Sequence, residues 1–111
     1  MSKLDDKIAL YSKEMTKLGI KVNGDLLRAV TRGCGPSIYN KDAETVSASD
    51  PAELDRVKKN FMEKKLGLSG KDLDAGIAHA IETIGKSNRS KYRAIFYYII
   101  VKKFKKESVY A

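Results

Sequence analysis

The sequence predicts an all-α fold, a compact bundle of about five helices with a largely buried C-terminal helix. Three observations carry that prediction. Apolar residues recur at helical spacing along most of the 111 residues, and capping residues and glycines punctuate those runs. The one segment rich in aromatic and β-branched residues has no second strand with which to pair. A chain of this length can build a single hydrophobic core without disulfides or metals, so residues 1–111 are read as one helical domain.

The first helix is marked by Leu4, Ile8, Tyr11, Met15 and Leu18, whose steps of four and three close one stripe. Ser2 caps its start, Asp5 and Asp6 suit the positive end of the helix dipole, and Gly19 offers a left-handed stop. Asn23 opens a shorter unit from Gly24 to Arg32, with Leu26, Leu27 and Val30 on one face and Gly33 ending it. Gly33, Gly35 and Pro36 then cluster as turn formers. The stretch to Asp42 reads as a tight turn followed by a short helical turn or irregular connector. It is expected to be ordered, because Ile38, Tyr39 and Val46 are apolar enough to tuck against the bundle.

Asp50-Pro51-Ala52-Glu53 is a helix start, with Asp as N-cap, Pro at the first helical position and Glu placed to return the hydrogen bond. Leu54, Val57, Phe61 and Leu66 should face inward along the third helix, and Gly67 followed by Leu68 has the form of a Schellman ending. Ser69 and Asp72 form a second capping-box pair. They open a fourth helix that buries Leu73, Ile77, Ala80, Ile81 and Ile84 before Gly85. After the connector Ser87–Ser90, the last helix is placed from about Arg89 to Lys106. It contains the run KYRAIFYYIIVKKFKK, whose apolar surface wraps most of the circumference. A helix of that kind is buried by neighbours on several sides, which makes it the centre of the bundle.

Length excludes a membrane-spanning reading of this run. A transmembrane helix needs about 20 mostly apolar residues, whereas only the eight from Ala94 to Val101 precede Lys102 and Lys103. The N-terminal MSKLDDKIAL lacks the apolar stretch and small-residue cleavage site of a secretory signal, and the single cysteine, Cys34, has no partner for an intramolecular disulfide. A reducing cytoplasm is therefore expected. The net charge of +8 is uneven: residues 57–111 carry thirteen Lys/Arg against five Asp/Glu, and Lys86 to Lys106 hold eight basic residues and no acid. Such asymmetry is the kind that can attract a polyanion.

The stretches LGIKVNGDLLRAVTRGCGPSIYNKDAETVSASDPAELDRVKKNFMEKKLGL and SNRSKYRAIFYYIIVKKF together resemble a small family of bacterial proteins classed as a domain of unknown function. The features that carry the likeness are a GPSIYNKDAE-like loop, a KKNFMEKKLGL-like helix end and a RAIFYYII-like final helix. The resemblance spans nearly the whole chain and implies an all-α fold and a cytoplasmic bacterial origin. It brings no activity, cofactor or site residue with it.

Candidate chemistry is sparse. His79 is the only histidine, and helical geometry puts it on a polar stripe with Asp72 and Glu82, far in sequence from Cys34, so the ligand set of a zinc site is missing. Cys34 lies between two glycines near a helix C-terminus, where the dipole opposes a thiolate and only Arg32 favours one. No phosphate-loop or nucleophile-elbow motif frames the glycines or serines. No cofactor and no catalytic residue are therefore assigned, and the chain is expected not to be an enzyme. The candidate binding face is Lys91, Tyr98, Lys102 and Lys105, which fall within roughly 60° of one another on the last helix at 3.6 residues per turn. The leading expectation is a domain that binds a protein partner or associates with itself. The alternative is an RNA- or DNA-binding protein in which the lysines meet phosphates and the tyrosine stacks on a base.

Overall fold

Side-chain caps begin three of the five helices in the computed structural model, which describes residues 2–110. Helix α1 (Lys3–Lys17) starts where the Ser2 side chain accepts from the Asp5 amide. Helix α2 (Gly24–Gly33) starts where the Asn23 side chain accepts from Leu26. Helix α3 (Pro51–Arg56) starts where that of Asp50 accepts from Ala52. Each bond satisfies a donor that the first turn of a helix leaves unpaired. Helices α4 (Lys71–Ile84) and α5 (Arg93–Lys103) complete an all-α bundle with no strand among the described residues.

The termini show which local expectations hold. Helix α1 closes in a full Schellman motif, with Gly19 at φ 77° and the Ile20 amide donating to Met15. Gly33 does not end α2 by a left-handed turn; it belongs to the helix, and Gly35, at φ 67°, makes the turn. A Cβ on Gly33 would lie 3.0 Å from Lys65 Nζ and 3.3 Å from the Tyr110 ring, so both side chains would have to give a little to admit one. The short helical turn expected next is a 3₁₀ segment, Gly35–Tyr39. It buries Ile38 but leaves Tyr39 48% exposed, contrary to expectation, while Val46 is buried.

The expected capping boxes are only half made. Glu53 does not return a bond to Asp50, because its carboxylate is taken by Arg56 and Arg93. Ser69 caps nothing with its side chain: Gly70, at φ 60°, occupies the N-cap position of α4. Helix α3 continues as a π-helix over Val57–Glu63, with the Lys64 amide donating to Lys59 and Leu66 to Phe61. At 3.6 residues per turn, Val57 and Leu66 would stand about 180° apart. The wider turn lets Val57, Phe61, Met62 and Leu66 all reach the core.

Helix α5 lies at the centre, packed on α4 and α2 and touching α1, and it buries every residue from Ala94 to Val101 except the half-buried Tyr97. It is shorter than the expected span of Arg89 to Lys106. Residues 91–93 are drawn into extended pairing with 44–46: Val46 donates to the Lys91 carbonyl at 2.8 Å, and Arg93 to that of Glu44 at 2.7 Å. The other end closes as a second Schellman motif, in which Lys106 donates to Val101 and Lys105 takes the left-handed position at φ 54°. No glycine marks that stop, so the sequence hid it. A 3₁₀ turn, Glu107–Tyr110, then returns the chain to α2. No helix among the described residues is long and apolar enough to cross a membrane.

Candidate functional site

The four residues of the expected basic face do not form a face. Lys91 precedes α5 in the extended pairing and is only 5% exposed, its ammonium bonded to the carbonyls of Lys86 and Asn88. Tyr98 is 1% exposed. Its hydroxyl donates to the Lys21 carbonyl at 3.1 Å and accepts from the Asn23 amide at 2.9 Å, so it pins the α1–α2 connection to α5. Lys105 lies beyond the helix on the left-handed turn, where 3.6-residue geometry no longer places it. Lys102 alone keeps the expected position, exposed on the last turn with Glu107 Oε2 3.3 Å from its ammonium. Lys91 and Lys105 drop out because the helical period was extended past both of the helix's real ends, and Tyr98, inside the helix, because that side of α5 is covered by the α1–α2 connection.

What the structure assembles instead is a groove of ≈ 310 Å³ where α4, α5 and the residues after α1 meet. Buried Tyr98 and Ile99 and half-buried Ile20 make its floor, while exposed Lys21, Lys102 and Lys103 make its rim. His79 and Thr83 of α4 close the other side. Among the described residues no carboxylate lines the groove, although Glu107 adjoins Lys102. The site draws on three separated segments, of which only Lys102 and Tyr98 were singled out in the sequence as binding residues. The signal that pointed this way was the acid-free basic run from Lys86 to Lys106; Lys21 had none.

A second polar cluster ties α3 to the start of α5. The Arg93 guanidinium bonds Glu53, donates to the Ala43 carbonyl at 2.8 Å and to the Tyr97 hydroxyl at 3.0 Å, and the Tyr97 ring stacks on Phe61 with centroids 3.8 Å apart. Burial alone would raise the Glu53 carboxyl, but the hydrogen bonds from Arg93 and Arg56 outweigh it and hold that group below the usual carboxylate range. Glu44 does the same fastening on α1, accepting from Lys7 at 2.8 Å and from the Tyr11 hydroxyl at 2.5 Å. These charges are consumed by internal partners, and their role is to fix where the loop and helices meet.

Cys34 caps α2, half-buried, and burial pushes its thiol up to about 11 against the opposing pull of Arg93 and Lys65. At neutral pH it is a protonated thiol, which is not the nucleophilic form. His79 is exposed on α4, and among the described residues no group of three His, Cys, Asp or Glu side chains converges as a metal site.

A family model described as a protein of unknown function (DUF2853) matches residues 10–108. No curated protein matches the chain.

Proposed function

We propose that this chain, which belongs to the DUF2853 family, is a non-enzymatic binding domain whose partner is a protein presenting an acidic segment with an apolar side chain. The observation behind the proposal is the groove with an apolar floor and a rim of three lysines. An apolar side chain would gain from burial against Ile20 and the exposed edge of Ile99, and flanking carboxylates would meet Lys21, Lys102 and Lys103 at the surface. Charge of this kind governs the rate and choice of partner more than the final affinity.

The competing nucleic-acid reading loses its stacking residue, since the Tyr98 ring is buried and its hydroxyl is committed. The body of α5 is also turned away from any DNA groove, since Ala94 to Val101 are buried except Tyr97 and only its last turn is exposed. The setting proposed is the cytoplasm of a bacterium, which the lone cysteine and the sequence resemblance support.

The test is capture from an extract of the native cell with the intact chain, with and without nuclease, beside a Lys21→Glu, Lys102→Glu, Lys103→Glu variant of unchanged thermal stability. The expected result is one captured acidic protein that withstands nuclease, weakens with salt and is lost by the variant. Capture that disappears on nuclease treatment would transfer the groove to nucleic acid. Equal capture by the variant would remove the groove from consideration.

A further inference from the structure

Lys91 is the only buried lysine among the described residues, and its two polar partners are both neutral carbonyls, those of Lys86 at 3.0 Å and Asn88. It makes no ion pair with any carboxylate of the described residues. An ammonium withdrawn from water ordinarily has a counter-charge, and an ammonium carries three donors, of which these carbonyls engage two. Lys91 is also among the residues lining a cleft of ≈ 550 Å³ between the Thr45–Ser49 segment and the Lys86–Arg89 loop.

Apart from Val46, Ala48 and Asn88, the rest of the lining is cationic or hydroxyl-bearing. Lys86 and Arg89 bring two more cations, both exposed and neither ion-paired with a described carboxylate. Thr45, Ser47, Ser49 and Ser87 bring hydroxyls. Among the described residues no acid lines the cleft. Its walls are fastened at one end by the bond from Val46 to the Lys91 carbonyl and the bridge between Thr45 and Tyr92, so Thr45 and Lys91 stand on backbone that is already paired. The volume lies in the range of small-molecule sites.

We propose that this cleft is a phosphate-binding site, in which a phosphate dianion, free or carried as a monoester on a small polar molecule, supplies the counter-charge to Lys91. Arg89 is the residue fitted for two-pronged contact with phosphate oxygens, Lys86 and Lys91 contribute point charges, and the hydroxyls donate to the oxygens that remain. The site is separate from the α4–α5 groove and shares no lining residue with it.

The experiment is a ¹⁵N–¹H correlation titration of the intact chain with sodium phosphate, and in parallel with glycerol 3-phosphate, at ionic strength held constant with sodium chloride. Saturable shifts are expected at the amides of residues 45–49 and 86–91, with sodium chloride alone giving none. Arg89→Gln and Lys86→Gln, both at exposed positions, should keep the melting temperature and each weaken the apparent Kd about tenfold, the usual scale of a charge-assisted contact. Lys91→Met should abolish saturation if it folds, and the two exposed variants decide the matter if it does not. An ester bound at least tenfold tighter than inorganic phosphate identifies the carrier as a small phosphorylated molecule, and equal binding identifies the free ion. Shifts that rise linearly without saturating, that chloride reproduces, or that are unchanged in both exposed variants overturn the proposal.

Discussion

Replacing Glu53 with Leu removes the carboxylate that Arg93 and Arg56 share, and the consequence can be worked from its surroundings. The Glu53 and Arg93 side chains are 10% and 15% exposed, so the guanidinium left behind has little access to water. It would keep the Ala43 carbonyl and the Tyr97 hydroxyl as partners, but neither carries a charge. Breaking a buried pair from one side costs about 3 to 5 kcal/mol; the retained neutral bonds place the expected loss near the lower end, about 3 kcal/mol. The Arg56 contact adds little, because Arg56 is 61% exposed. Replacing both partners, Glu53→Leu with Arg93→Met, removes the stranded charge as well. The double variant should therefore lose less than the sum of the single losses.

The assay is urea unfolding followed by circular dichroism, comparing midpoints at equal slope. Its pH dependence has a definite sign. Glu53 titrates lower in the folded chain than in the unfolded one, so its contribution is complete above the unfolded carboxylate pKa and is lost as pH falls through the lower, folded value. The parent should lose stability on acidification more steeply than Glu53→Leu does. A Glu53→Leu midpoint equal to the parent's, or strictly additive losses in the double variant, would refute the buried-pair reasoning.

Two further predictions concern the core and the thiol. Phe96, fully buried on the central helix, should cost roughly 3 to 5 kcal/mol as Phe96→Ala, read as a lower urea midpoint; parent-like stability would mean that α5 is not the centre of the core. Cys34, pushed up to about 11 by burial, should react with iodoacetamide at pH 7.5 far more slowly than a free thiol, with a rate still rising above pH 9. Fast labelling at neutral pH would show an activated thiolate.

The helical class, the stripe on α1 and the caps at Ser2, Asn23 and Asp50 were legible because each depends on residues within one turn of one another. The same holds for Gly19, where a local hydrogen-bond pattern and a permissive backbone suffice. The limits of α5 were not local. Its start is set by pairing of residues 91–93 with 44–46, nearly fifty positions earlier in the chain, and its end is a left-handed lysine that no turn residue announces. Glu53 carries the same lesson: a capping-box pattern is a statement about four residues, and Arg93, forty positions away, outcompetes it for the carboxylate. The expected basic face failed because such distant contacts moved both helix ends and covered Tyr98. A helical wheel places residues relative to an axis that must first exist, and only the tertiary structure decided that Lys91 and Tyr98 are inside, that Lys21 joins Lys102 and Lys103, and that Lys91 lines one cleft with Lys86 and Arg89. The sequence by itself determined the periodicity, the caps and the surplus of positive charge; where that charge gathers depended on contacts between distant segments, which composition and spacing do not encode.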